Sequence, residues 1–154
     1  AENVEELKKR GIRHIVCVNE QDNEHADKFR YFNIDTLEDQ EDNDASPHFQ
    51  SVKEFTDEAL LSGGAVLFHC AAGISRSATM VIAYLMASHR MTLLEAFAVC
   101  YHHRRVTWPN RSFMMQLIAY EKKLQSKRGI KGKQLKPTIT IEQWDSWSSS
   151  SAPE

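Results

Sequence analysis

The sequence lacks several features that would place it in common classes of protein. Its net charge is only −2 over 154 residues, so bulk charge provides no attraction to nucleic acid or to an anionic membrane. No apolar run approaches the roughly 18 residues that a transmembrane helix requires, and no signal peptide is visible at Ala1. We therefore expect neither a nucleic-acid partner nor membrane association.

Cysteine is also scarce. Cys17, Cys70 and Cys100 are odd in number and widely spaced, which suits a reducing compartment where a free thiol persists. No array of cysteine and histidine has the spacing of a zinc site, because His102 and His103 stand apart from any suitable partners. We expect a cytoplasmic location, with the nucleus as the alternative, and no bound metal.

The chain does contain an alternation of strand-like and helix-like segments. Short apolar runs predict strands, whereas apolar residues at helical spacing and a capping box at Thr92 and Glu95 predict helices. The predicted strands cover residues 12–18, 29–34 and 65–68, and the predicted helices cover 4–10, 46–62, 76–86, 93–103 and about 113–124. This order predicts an α/β fold with a central, mainly parallel, twisted sheet flanked by helices.

The composition changes near residue 126. Residues 126–136 are rich in lysine, arginine and glycine, and the chain ends in a run of serines. We therefore predict a catalytic domain over residues 1–125 and a flexible polar tail over 126–154. Within this tail, residues 139–144 are a candidate to dock as a strand or to bind a partner.

Residues 69–77, with the sequence HCAAGISRS, carry the strongest chemical signal. A strand delivers Cys70, a turn containing Gly73 follows, and Arg76 opens a helix. The backbone N–H groups of such a turn, together with a helix N-terminus, form an anion-binding cradle. Arg76 can donate two parallel hydrogen bonds to phosphate oxygens, and the surrounding donors would stabilise a nucleophilic thiolate at Cys70. The alternative is a buried structural cysteine beside a packing arginine.

The predicted cradle has six members. All of them lie either in the predicted turn after the cysteine or at the first position of the helix that follows: Ala71, Ala72, Gly73, Ile74, Ser75 and Arg76.

This stretch resembles the HCxxGxxR(S/T) signature of the cysteine-dependent protein tyrosine phosphatase superfamily, and residues 69–86 are similar to its dual-specificity branch. The similarity extends from about Val4 to Leu124 and includes the YFNI motif at residues 31–34 and a closing pattern around Pro109 and Asn110. Members of the family begin with a further strand ahead of the residues that match Val4. The resemblance therefore implies a sheet that lacks its first strand.

The resemblance also implies a mechanism and roles for individual residues. Cys70 would attack phosphorus and form a phosphocysteine, while Arg76 and the loop amides would stabilise the charge of the transition state. Ser77 matches the hydroxyl that stabilises the cysteine as it leaves. His69 would orient the loop by hydrogen bonding, or would simply be a packed histidine; Asn110 would bond to the cradle or cap the last helix. Because arginine and amides supply the charge, the mechanism needs no cofactor.

The resemblance further requires an aspartate that protonates the leaving group. Residues 35–44 contain six acidic side chains, most of which we expect to be solvated. When the family's spacing is counted forward from Tyr31, the general acid falls at Glu38. When it is counted back from Cys70, the acid falls at Asp39. Asp39 is the preferred candidate because it is the expected residue type, and Glu38 is the alternative.

The loop also bears on the substrate. The variable positions of residues 71–75 are uncharged, whereas related phosphoinositide phosphatases tend to carry lysine there, and the acidic segment would repel a lipid headgroup or an RNA end. A phosphorylated protein, with kinases among the candidates, is therefore the expected partner through phosphotyrosine and phosphoserine or phosphothreonine. The alternative is a weak or inactive phosphoprotein-binding module, as in the STYX group, although that group lacks the nucleophile that Cys70 would supply.

Overall fold

The computed structural model describes residues 4–18, 23, 25–35, 37–38, 40, 43–70 and 75–149. Its three strands are β1 (Ile12–Cys17), β2 (Arg30–Asn33) and β3 (Ala65–His69). Its helices are α1 (Val4–Lys9), α2 (Phe49–Leu61), α3 (Arg76–Ser88), α4 (Leu93–His103), α5 (Arg111–Lys127) and α6 (Ile141–Ser149), with short 3-10 turns at Ser46–His48 and Gly132–Gln134.

The sheet within the described residues has the strand order β2-β1-β3, and both pairings are parallel. The prediction of an α/β fold with a parallel sheet flanked by helices is therefore confirmed. Three strands lie within the described residues, which is consistent with the shortened sheet that the resemblance implied.

The central strand β1 is buried on both of its faces. Val16 and Val18 point into the main core with α2, α3 and α5, whereas Ile15 and Cys17 join a smaller cluster that includes Leu7 of α1. Alternate residues of a strand point to opposite faces, so a continuous apolar run is what burial of both faces requires.

Helix α3 lies at the centre of the main core. It packs against α2, α4 and α5, and most of its side chains between Ser77 and Met86 are buried. The predicted helix over residues 76–86 is therefore present, and its central position explains why it is apolar almost all round. The capping box of α4 is also present, because the Glu95 N–H donates to Thr92 Oγ1 and the Thr92 N–H donates to Glu95 Oε1.

The structure corrects the expectation of a flexible tail. Helix α5 continues to Lys127, and α6 packs against α5. Ile139 and Trp144 are 0% and 1% exposed, so the segment that was a candidate to dock as a strand or to bind a partner packs on the fold as a loop and a helix. Burial of two large apolar side chains provides the driving force that the polar composition concealed. The boundary of the catalytic domain at residue 125 itself remains a prediction.

Candidate active site

The parallel sheet places Cys70 at the carboxyl end of β3. His69 pairs with Cys17 of β1, and the Val18 N–H donates to the His69 carbonyl at 2.7 Å. This hydrogen bond fixes the end of the strand just before the cysteine. Ligands of open parallel sheets bind beyond the carboxyl ends of the strands, which is where Cys70 emerges.

Cys70 and Ser77 are brought together. The Cys70 S–H donates to Ser77 Oγ at 3.1 Å, and both residues are 5% exposed. Cys70 directly follows β3 and Ser77 lies in the first turn of α3, so this contact brings the end of the strand and the start of the helix together. If Cys70 loses its proton, the Ser77 hydroxyl can rotate and donate to the thiolate instead.

Residues 71–74 of the predicted cradle lie outside the described residues, and this includes Ala71, Ala72, Gly73 and Ile74. The described part of the cradle consists of Ser75 and Arg76. Ser75 is buried, and its carbonyl accepts hydrogen bonds from the N–H and the hydroxyl of Thr79, at 2.9 Å and 2.6 Å. The start of α3 is thereby fixed immediately after the cradle.

Asn110 combines the two alternatives that the sequence left open. Its backbone N–H donates to Ser75 Oγ at 2.9 Å, so it bonds to the predicted cradle. Its side-chain Oδ1 accepts from the Phe113 N–H at 2.8 Å, so it also caps α5. One residue therefore ties the start of α5 to the residue that precedes Arg76.

His69 contacts the neighbouring strand, and its role in orienting the loop remains a prediction. Its Nδ1 lies 4.0 Å from Cys17 Sγ on the neighbouring strand. This contact ties the histidine to the sheet, and it fits the alternative of a packed histidine at the end of β3.

Arg76 connects α3 to the acidic segment. Its Nη1 donates to the carbonyl of Leu37 at 3.3 Å, and the Leu37 side chain is buried. Glu38 follows; it is exposed, and its backbone N–H donates to Asn43 Oδ1 at 3.3 Å. Asp39 lies outside the described residues. The backbone just before both candidate acids therefore adjoins the arginine of the predicted cradle.

Sequence reasoning missed Gln116 as a support of this region. Its Oε1 accepts from the Ala45 N–H at 2.6 Å, and its Nε2 donates to the Asn43 carbonyl at 2.9 Å. These bonds hold the end of the acidic segment against α5. Its sequence signal was its place in the closing pattern that follows Pro109 and Asn110, which gave it no role.

Outside the predicted cradle, the described residues show a protonated thiol at Cys100 and no metal-binding cluster. Burial raises the pKa of Cys100 to about 11, so this thiol stays protonated near neutral pH and is a poor nucleophile. Within the described ranges, no three side chains of histidine, cysteine, aspartate or glutamate converge to form a metal site. No described helix has the length and apolar character needed to cross a bilayer.

Comparisons with known proteins agree with this geometry. The family model described as "Dual specificity phosphatase, catalytic domain" matches residues 1–123. The chain is 35% identical over 146 residues to dual specificity protein phosphatase PHS1 of Arabidopsis thaliana, which covers 92% of this chain and 16% of that protein. It is 49% identical over 83 residues to dual specificity protein phosphatase 26 of Bos taurus, covering 53% of this chain and 39% of that protein. The chain thus spans less than half the length of either relative.

Solved structures give the same assignment. A crystal structure of human DUSP28 carrying the substitution Y102H has a TM-score of 0.77 and 31% identity, covering 80% of this chain and 85% of that one. The human tyrosine phosphatase-like serine/threonine/tyrosine-interacting protein has a TM-score of 0.71 and 39% identity, covering 76% of this chain and 81% of that one. With its signature loop between β3 and α3, the chain belongs to the dual specificity phosphatase family.

Proposed function

We propose that this protein hydrolyses phosphotyrosine and phosphoserine or phosphothreonine in other proteins through a phosphocysteine intermediate. The observation that carries the proposal is the placement of Cys70 Sγ 3.1 Å from Ser77 Oγ, at the carboxyl end of a parallel strand and beside the helix that Arg76 opens. Membership of the dual specificity phosphatase family supports the general reaction, since the relatives from Arabidopsis thaliana and Bos taurus are both named as protein phosphatases.

In the first step, the Cys70 thiolate attacks phosphorus and forms a P–S bond. The P–O bond to the substrate side chain breaks, and Asp39 gives its proton to the departing oxygen. Arg76 and the backbone amides of residues 71–75 stabilise the charge on the three remaining phosphate oxygens. The dephosphorylated protein then leaves.

In the second step, the Asp39 carboxylate takes a proton from water, and the resulting oxygen attacks phosphorus. The P–S bond breaks and inorganic phosphate is released. Ser77 donates a hydrogen bond to the sulfur as it regains negative charge, which lowers the barrier to its departure. The buried 3.1 Å contact between these two side chains supports this role.

We further propose a phosphorylated kinase as a candidate substrate. One relative is named MAP kinase phosphatase with leucine-rich repeats protein 3, from Dictyostelium discoideum, and it is 40% identical over 125 residues, covering 80% of this chain and 14% of that protein. The uncharged residues 71–75 and the acidic segment support a protein substrate over a phosphoinositide or an RNA end. Such a substrate would be met in the cytoplasm or the nucleus.

A second candidate function is phosphoprotein binding without turnover. The 39% identity to the human tyrosine phosphatase-like serine/threonine/tyrosine-interacting protein favours it. The presence of Cys70 favours catalysis instead, because a binding module does not need a nucleophile held beside a hydroxyl donor.

The test is phosphate release from a phosphotyrosine peptide and from a peptide phosphorylated on both threonine and tyrosine. We expect turnover by the wild-type chain and a loss of at least about 10³-fold in Cys70→Ser, because no other group replaces the nucleophile. Cys100→Ser is the matched control and should retain activity, since that thiol stays protonated. Circular dichroism should show that all three chains are folded.

The two functions predict different outcomes. A folded wild-type chain that binds the phosphopeptides but releases no phosphate would contradict the enzyme and support the binding module. Equal turnover by Cys70→Ser and the wild type would contradict the phosphocysteine intermediate.

A further inference from the structure

Residues 138–149, here called the C-terminal segment, are anchored by a buried carboxylate. Glu121 of α5 is 3% exposed. Its oxygens accept from the Leu93 N–H at 2.7 Å, the Thr138 N–H at 2.8 Å and the Thr138 hydroxyl at 2.7 Å. The Leu94 N–H donates in turn to Thr138 Oγ1 at 3.0 Å. These bonds join the segment to the start of α4 and the middle of α5.

Beyond this anchor, the segment packs on the residues that lead into the active site. The indole of Trp144 stacks on that of Trp108, with ring centroids 4.1 Å apart and planes inclined by 22°. Phe97 meets Trp144 edge-on at 5.2 Å. Stacked aromatic pairs stabilise a contact beyond the area that they bury, so this contact restrains Trp108.

An ion pair adds a directional restraint. Arg111 donates from Nε to Asp145 Oδ1 at 2.9 Å and from Nη2 to Oδ2 at 3.2 Å. Both side chains are about half exposed, so the pair contributes little free energy of folding. Its two parallel hydrogen bonds do fix the relative orientation of α6 and the start of α5.

The C-terminal segment contacts residues 108–111 at both of their ends. The same four residues also contact the predicted phosphate-binding loop. Within them the Asn110 N–H donates to Ser75 Oγ at 2.9 Å. Ser75 directly precedes Arg76, whose guanidinium would bind the phosphate. A continuous series of contacts thus runs from Trp144 and Asp145, through residues 108–111, to the phosphate cradle.

We propose that the C-terminal segment is a positioning element of the active site, and that Trp144 and Asp145 are positioning residues for the reaction. The inference rests on the proposed phosphatase function. Loop amides and arginine stabilise a transition state only when they are held in place beforehand. A support that fixes Asn110 limits the movement of Ser75, and therefore of the start of α3.

The experiment uses the full chain, the variants Trp144→Leu, Asp145→Asn and Glu142→Gln, and a charge exchange between Arg111 and Asp145. Glu142 is exposed on the same helix, so its variant removes one charge from α6 and leaves both members of the Arg111–Asp145 pair in place. The kcat and KM for para-nitrophenyl phosphate are measured, because this small ester reports on the loop alone. Binding of orthovanadate, which mimics the transition state, is measured by calorimetric titration.

We expect kcat to fall about tenfold in Trp144→Leu and about threefold in Asp145→Asn, because small misplacements of catalytic groups are costly. KM should change little, and the dissociation constant of orthovanadate should rise in parallel with the loss of kcat. Glu142→Gln should match the wild type. The pair Arg111→Asp with Asp145→Arg should recover most of the kcat lost in Asp145→Arg alone.

Several outcomes would overturn the inference. One is a variant that unfolds at a lower temperature but, while circular dichroism shows it folded, keeps the wild-type kcat and vanadate affinity. A rise in kcat would show that the segment opposes catalysis instead. If the wild type binds vanadate without turnover, the proposed function fails and the vanadate affinities alone decide the inference. A wild type that does neither overturns both.

Discussion

At the residue scale, Glu38 and Asp39 compete for the role of general acid. The Arg76 guanidinium bonds to the carbonyl of Leu37, so the chain that carries both acids begins beside the cradle. The Leu37 side chain is buried and anchors the chain just before the two acids. Protonation of the leaving group needs a single acid within hydrogen-bond reach, so we expect only one of the two side chains to serve.

We predict that Asp39→Asn lowers kcat by about 10²–10⁴-fold, the usual contribution of one proton donor. A general acid must be protonated to act, so the rate falls as pH rises through its pKa. Asp39→Asn should therefore remove this basic limb from the pH–rate profile, measured with a phosphotyrosine peptide.

Glu38→Gln is the matched control, and it should leave both limbs in place. Loss of the basic limb in Glu38→Gln alone would assign the role to Glu38.

At the scale of elements, Asp57 holds α2 against α3. Its Oδ1 accepts from the Tyr84 hydroxyl at 2.7 Å and from the Ser88 hydroxyl at 2.9 Å, and its Oδ2 accepts from Lys53 Nζ at 2.7 Å. Burial acts to raise the pKa of Asp57, but hydrogen bonds from Lys53, Tyr84 and Ser88 outweigh it and hold the pKa below 3.8. The folded state therefore favours the ionised carboxylate.

We predict that Asp57→Asn lowers the free energy of unfolding by about 1 kcal/mol at pH 7, because hydrogen bonds to a charged acceptor are weakened. The pKa is depressed in the folded state, so this stability is present above the unfolded pKa of 3.8 and is lost as pH falls through the folded value. The difference in free energy of unfolding between the wild type and Asp57→Asn, measured by urea unfolding, should shrink below about pH 4.

Glu54→Gln on the same helix is the control, because Glu54 is exposed and its side chain accepts a hydrogen bond from Gln50 of α2. A difference between wild type and Asp57→Asn that persists unchanged to low pH would contradict the role assigned to the carboxylate.

At the scale of the whole molecule, the C-terminal segment is part of the core. Trp144 and Ile139 are as deeply buried as the centre of α3, and Glu121 ties the segment to α4 and α5. All three tryptophans of the chain, Trp108, Trp144 and Trp147, lie at this junction. Their fluorescence therefore reports on the docking of the segment, whereas far-ultraviolet circular dichroism reports on the helices as a whole.

We predict a single unfolding transition in urea that is coincident for the two probes. Glu121→Gln should lower the free energy of unfolding by about 2 kcal/mol, because an amide NH₂ would face donors that now bond to a carboxylate. The two probes should still coincide in this variant.

Glu142→Gln is the control and should unfold like the wild type. An earlier fluorescence transition would contradict this prediction and would restore the interpretation of residues 126–154 as a separate tail.

The sequence by itself determined the local features of this protein. The apolar run around Val16 predicted a strand buried on both faces, because a parallel strand needs apolar side chains on both sides. The Thr92 and Glu95 capping box marked the start of α4, since both partners lie within one turn of the chain. The HCxxGxxR pattern placed a cysteine between a strand and a helix, where Cys70 and Ser77 meet.

Only the tertiary structure decided which distant residues support that site. The contacts of Asn110 with Ser75, of Arg76 with the Leu37 carbonyl and of Trp144 with Trp108 each join positions at least 35 residues apart. Two of them involve backbone groups, which every residue possesses and no pattern distinguishes. The contact of Trp144 with Trp108 could not be predicted, because a single tryptophan in a polar segment gives no helical periodicity. Trp144 becomes part of the apolar core only when another element covers it.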